Sequence, residues 1–246
     1  MPVTRASNPP SHRPGERGFT LVEMLVAMVS GMVVILATLS ILDISISQSA
    51  RTTERVDANQ RGRLAMEKIL LDLHSTCTSY RTTPVEEESN STKIVFLSQT
   101  GAEASFANIV KHVISLTEEG KLIDTYYVSN AGSGPNWSFP ATPTGTQTLL
   151  TGVTQSVDLS SGATIPVFRY YKYVEGNLSA NPLPVPLSNS NAEETAEVTV
   201  SFTAAPSFTA YHASAGTKSD RAVELSDTAV LRYDPASATG GNKSCE

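Results

Sequence analysis

The chain has 246 residues, 40% of them hydrophobic, and its 18 Lys and Arg against 24 Asp and Glu leave a net charge of −6. That balance disfavours general nucleic-acid binding, because neutralising phosphates takes clustered Lys and Arg. Behind an N-terminal helical region about 170 residues remain, enough for one globular domain with a modest core, and their Ser, Thr, Pro, Gly and Asn suit strands and exposed loops.

Residues 1–18 (MPVTRASNPPSHRPGERG) carry four prolines and no apolar run. They read as a leader, not a folded element. A secretory signal would place its apolar segment before the cut; here the apolar segment follows Gly18 and is retained. Residues 24–42 contain no charge, and only Ser30, Gly31, Thr38 and Ser40 are not plainly apolar. About 20 such residues span a bilayer core as a helix, so residues 20–42 are read as a membrane span. Glu23 stands at its mouth, where a charge in hydrocarbon costs roughly 2.5–3.5 kcal/mol on insertion scales for comparable residues. A carboxylate in that place needs a partner.

The hexapeptide Gly18-Phe19-Thr20-Leu21-Val22-Glu23, with a basic leader before it and an apolar helix after it, resembles the class III prepilin signal of type IV pilins and pseudopilins. The resemblance implies cleavage after Gly18 by a membrane prepilin peptidase that also N-methylates the new first residue, Phe19. It places the family's assembly glutamate on Glu23. It also implies a cytoplasmic leader and an extracytoplasmic domain. Charge alone does not orient the span, since Arg5, Arg13 and Arg17 precede it and Arg51, Arg55, Arg61 and Arg63 follow it. Further implied partners are other pilins or pseudopilins packed through the N-terminal helix, the inner-membrane platform protein of the assembly machine, and membrane lipid before assembly.

The helix is expected to continue, because no proline occurs between Pro14 and Pro84. Val56, Arg63, Met66, Leu70, Leu73 and Cys77 recur at steps of 7, 3, 4, 3 and 4 and predict one sheet-facing stripe. Glu54, Asp57, Arg61, Lys68 and Asp72 are expected mostly elsewhere, and Gly31 and Gly62 are the candidate bend points. Residues 59–73 resemble the second helical half of PilW-type minor pilins and of the J-type minor pseudopilins of type II secretion. His74 stands where those families have Arg.

From residue 84 the periodicity changes. Residues 86–90 (EEESN) read as a solvated acidic turn, 93–97 (KIVFL) as a strand, and 108–117 and 122–128 as a hairpin turned at Gly120. Residues 130–147 read as a long loop in which Trp137 and Phe139 tuck onto the sheet. Residues 149–150 and 153–159 are a short strand or helix, and 165–174 (IPVFRYYKYV) the strongest strand, its aromatics packing across strands. Residues 181–187 (NPLPVPL) are expected to lie extended on the surface. Residues 197–202 and 222–233 are the last strands, the latter with a break near Ser226.

Cys77 and Cys245 are the two cysteines. Far apart in a chain bound outside the cytoplasm, they read as a disulfide before a metal or redox site, with free or intermolecular thiols as the alternative. The histidines His12, His74, His112 and His212 show no ligand spacing with cysteines or carboxylates. There is no G-x-S-x-G, P-loop or EF-hand loop. No catalytic residue, metal or cofactor is expected.

The whole is an α+β expectation: leader 1–18, long helix 19–78, and a β-rich extracytoplasmic domain 79–246 built on an antiparallel sheet. The implied function is a minor pilin or pseudopilin, a structural subunit or tip initiator of a type IV pilus or type II secretion-like filament. The alternative is a filament-tip binding module for DNA, a surface or a secreted substrate. An enzyme with a pilin-like anchor ranks below both.

Overall fold

A computed structural model describes residues 18–77, 83–100, 108–133, 136–208 and 221–231. The chain divides into two units, residues 1–47 and 48–246. The leader up to residue 17, Cys245 and the residues around it lie outside the described set.

One helix, α1 (Leu21–His74), runs on into the second unit. Gly31 and Gly62, the candidate bend points, both lie inside this single helix. Among the described residues twelve further elements follow it in chain order: β1 (Lys93–Gln99), β2 (Ile109–Leu116), β3 (Lys121–Val128), β4 (Ala131–Ser133), β5 (Asn136–Ser138), β6 (Gly145–Thr151), β7 (Val153–Thr154), β8 (Phe168–Val174), β9 (Asn177–Leu178), α2 (Asn189–Glu194), β10 (Thr195–Ala204) and β11 (Val223–Val230), which is eleven strands and one short helix. The class is α+β, and every strand pairing among the described residues is antiparallel.

Two sheets carry the domain, in the orders β1-β2-β3-β6 and β11-β10-β8-β9, with β7 also on β10. The β2–β3 hairpin turns at Gly120, whose φ of +72° lies where a side chain is disfavoured. A Cβ there would also meet the Val153 carbonyl oxygen at 2.9 Å. From α1, Ala65, Met66, Ile69 and Leu73 join Ile94, Phe96, Ile114, Leu122, Phe168, Tyr170, Val198, Val200 and Phe202 in one apolar core. The Tyr170 hydroxyl donates to the carbonyls of Asn90 (3.0 Å) and Lys93 (3.2 Å), which satisfies a phenol in that interior. Burial pushes its pKa up.

The buried stripe of α1 keeps Met66, Leu73 and Cys77 of the expected set and differs in the rest. Val56 is 46% exposed, and Arg63 also faces solvent. The buried positions are Glu54, Ala58, Gly62, Ala65, Met66, Ile69, Asp72 and Leu73. Small residues decide this face, because they let the helix backbone come close to the second sheet. A Cβ at Gly62 would stand 2.2 Å from Leu225 Cδ1 and 3.2 Å from Ala204 Cβ. Glu54 can turn inward because Arg221 meets it there, Nη1 to Oε2 at 2.8 Å. A buried charge needs such a partner. Asp57 accepts from the Ser207 backbone N–H and hydroxyl at 2.8 and 2.9 Å, and Arg61 donates to Thr151 Oγ1 at 2.9 Å.

Other segments also depart from expectation. Residues 130–147 hold the β4–β5 hairpin and the start of β6. Within them Trp137 and Phe139 do tuck in as expected, packing on Cys77, Leu97 and Ile109 in a second small core. The 181–187 stretch is no surface strap, since Leu183 and Leu187 are buried in the main core. Their N–H groups donate to the carbonyls of Tyr170 (2.7 Å) and Ser89 (2.9 Å), so the extended segment is tied down at both ends. Residues 189–194 form α2, capped by Ser188. Strand β11 keeps register through Ser226 without a break. The acidic turn is solvated only at Glu87 and Glu88. Glu86 is half-buried, and loss of water pushes its carboxyl pKa up against the opposing pull of Lys111 and of the Thr83 hydroxyl.

Candidate functional site

The site is the start of α1, and its chemistry follows from where that helix begins. Residues 18–20 are non-helical and α1 starts at Leu21. Thr20 is the cap: its Oγ1 accepts the Glu23 N–H at 3.3 Å and its carbonyl accepts the Met24 N–H at 3.1 Å. Thr20-x-x-Glu23 has the capping-box pattern, in which a hydroxyl satisfies an N–H that the helix leaves unpaired. That pattern was legible in the sequence, and it gives Thr20 a role the prepilin hexapeptide alone does not supply.

Gly18 therefore lies just outside the helix in open surroundings, where a Cβ would meet nothing within 4 Å. Phe19 follows it, 77% exposed. Glu23 is exposed in the first helical turn, where a carboxylate is favoured by the helix dipole. The structure thus puts the three residues singled out for cleavage, methylation and assembly within one cap and one turn.

From Leu21 to Ile46 nearly every large apolar side chain is more than half exposed, on all sides of the helix. The most apolar part of this helix has a hydropathy of 2.5 with none of it buried, so α1 is long and apolar enough to cross a membrane. A helix apolar on every face is stable only against lipid or other helices. Its few hydroxyls are satisfied internally: Ser30 donates to the Val26 carbonyl, Thr38 to Ile35 (2.8 Å) and Ser40 to Leu36 (2.9 Å). Bonding within the helix removes most of the cost of taking a hydroxyl into an apolar medium.

Cys77 is fully buried just past the end of α1 and is held in a disulfide. Its backbone N–H donates to the Leu97 carbonyl at 2.8 Å, and the Gln99 N–H donates to Ser75, so the helix exit is stitched to the edge of β1. Cys245 lies outside the described residues.

One group of titratable side chains escaped the sequence. His112 on β2 and Asp124 on β3 meet at 3.0 and 3.2 Å, Nδ1 to the two carboxylate oxygens. Asp72 of α1 joins them, one ligand atom from each residue lying within 4.8 Å of the others. Asp124 sits opposite Ile114, two places along β2 from His112, so a sheet diagonal brings the pair together. No sequence spacing signals it, since the three residues are 40 and 12 apart along the chain.

Compared with known proteins, residues 13–39 match the family model of the prokaryotic N-terminal methylation motif. That match covers the leader end, the Gly18–Phe19 bond, Glu23 and most of the apolar run. No curated protein and no solved structure matches the chain. The matched segment is a methylation motif of the kind that heads pilin-like precursors, and the helix behind it is long and apolar enough to cross a membrane.

Proposed function

We propose that this chain is a minor pilin or pseudopilin, a structural subunit or tip initiator of a type IV pilus or type II secretion-like filament, and not an enzyme. The observation that carries the reading is the continuity of three things: a methylation motif over residues 13–39, a helix capped at Thr20, and an apolar surface with no cover from Leu21 to Ile46. The cut falls after Gly18, and Phe19 becomes the methylated N-terminus. The leader is cytoplasmic, residues 20–42 span the inner membrane, and the β-rich domain lies outside the cytoplasm. Lipid covers the apolar helix first, and the helices of other pilins cover it in the filament. Residues 59–73 resemble PilW-type minor pilins and J-type minor pseudopilins and support a minor role. Mass spectrometry of the chain purified from membranes tests this. The expected N-terminus is N-methylated Phe19; an N-terminus at Met1, or at a site beyond Leu42, overturns it.

The same reading pairs Cys77 with Cys245. The bridge would close a loop of roughly 170 residues, for which chain entropy gives about 5 kcal/mol as an upper figure. It would fix the C-terminal tail at the helix exit, beside Trp137. Reduction, or a Cys245→Ser change, is expected to lower unfolding stability by roughly 2–5 kcal/mol. Thiol labelling of the non-reduced protein is expected to find no reactive cysteine. Two labelled thiols in the native sample would rule the bridge out.

A further inference from the structure

The buried Asp72–His112–Asp124 group holds two carboxylates and an imidazole under α1. Asp124 is 2% exposed, and Asp72 and His112 are 8% exposed. Lys68 reaches Asp72 Oδ1 at 2.6 Å from the rim, with its own side chain 40% exposed. On the other side the ring of Phe96 stacks on His112, centroids 5.2 Å apart. The cluster is therefore polar at its centre, flanked by an aromatic ring, and largely buried.

Hydrogen bonding within the cluster leaves one atom unaccounted for. Asp72 Oδ2 is buried and has no hydrogen-bond partner among the described residues. His112 Nδ1 is taken up by the two oxygens of Asp124 and gives Asp72 Oδ2 no hydrogen bond. Leaving a buried carboxylate oxygen unmade costs more than an ordinary hydrogen bond returns. A cation placed between the three residues serves all of them at once.

We propose that Asp72, His112 and Asp124 bind a divalent transition-metal ion of the zinc class, which ties α1 to the β2–β3 hairpin. Nitrogen and oxygen donors bind such an ion at about 2.0–2.2 Å, so neighbouring donors in a tetrahedral set stand about 3.3 Å apart. The His112–Asp124 contacts of 3.0 and 3.2 Å already have that spacing. Asp72 needs to close by roughly 1–1.5 Å to match the same spacing, and its free Oδ2 is the atom able to do so. Water completes the fourth position. The donor set is one imidazole and two carboxylates without thiolate, which suits zinc or manganese and not a copper(I) or iron–sulfur site. Two carboxylates also neutralise a divalent ion, so its burial leaves the centre without net charge while Lys68 stays at the solvent edge. The ion would fix α1 on the sheet through one residue from each of three elements.

The test uses the full-length chain in detergent, stripped with chelator and titrated with Zn²⁺ by calorimetry. One saturable ion per chain is expected, with a rise in melting temperature. Asp72→Asn and His112→Gln are each expected to weaken binding at least about tenfold, by loss of a ligand. Circular dichroism of each variant shows whether its helix and sheets persist. The wild-type chain decides even if a variant fails to fold, because X-ray absorption at the zinc edge reads the ligands directly. One imidazole, read from its outer-shell scattering, with two or three further light-atom donors and no sulfur supports the site. No zinc uptake, sulfur or several imidazoles around the ion, or equal affinity in folded variants overturns it.

Discussion

Replacing Gly18 by valine is expected to leave the precursor uncut and resident in the membrane, with processing reduced to trace levels. The proposed cut requires a peptidase active site to close on the backbone, and glycine is the residue with no side chain to hold that backbone away. In this chain the substitution is unusually clean. A Cβ at Gly18 meets nothing within 4 Å, the residue lies outside α1, and the helix is capped two residues later at Thr20. Valine there does not disturb the fold of the rest of the chain. Loss of processing would therefore report recognition of the scissile bond, not misfolding. The measurement is a mass difference equal to residues 1–18 together with the absence of methylated Phe19. Normal cleavage of the Gly18→Val chain would place the cut elsewhere and remove Phe19 from the first position.

The N-terminal half of this reading was legible because its signals are local. A basic leader, a glycine, an apolar run and a carboxylate sit in consecutive residues, and a helix needs only its own sequence to cap at Thr20. The strands from 93 to 128 were legible for the same reason: alternation along one strand and a glycine at the turn specify a hairpin without reference to anything distant. What failed were readings that depend on a partner. The expected stripe of α1 holds at Met66, Leu73 and Cys77, but Val56 and Arg63 face outward and small residues, Ala58, Gly62 and Ala65, share the buried face, Gly62 lying against Leu225 and Ala204. Glu54 and Asp72 are expected mostly off the buried face; Glu54 is buried because the fold brings Arg221 to it, while Asp72 has Lys68 one helical turn before it. Residues 181–187 have no periodic pattern, so their proline-rich composition suggested an exposed strap. Leu183 and Leu187 instead fill the core, since a chain without regular structure can still bury two leucines if its N–H groups find carbonyls. The His112 cluster was invisible for a simpler reason. Its members come from one helix and two strands, and a sheet diagonal is not written in sequence spacing.

The Glu23→Ala chain is expected to be made, inserted and cleaved close to normally, yet to enter the filament at roughly a tenth of the wild-type level or less. The helix start does not depend on the carboxylate, because Thr20 Oγ1 accepts the backbone N–H of residue 23, which alanine also possesses. What alanine removes is a favourable charge at the helix N-terminus, worth about 0.3–1 kcal/mol, too little to unfold α1. Cleavage after Gly18 would create an amine on Phe19, just ahead of the Thr20 cap and four residues before Glu23 in the chain. Its reference pKa near 7.7–8.0 leaves it largely charged at neutral pH. Amine and carboxylate both become costly once apolar helices surround them, and each offsets the other's burial only when paired. A pair inside one chain would help insertion and assembly equally, so it could not favour the filament. A pair between the carboxylate of one chain and the amine of its neighbour exists only after docking, and it rewards a single axial offset between helices. Selective loss of incorporation, measured as the ratio of Glu23→Ala protein in sheared filaments to that in membranes, is the signature of the intermolecular pair. An unchanged ratio for the cleaved variant would show that this subunit docks without it, as a subunit with no neighbour ahead of its carboxylate would.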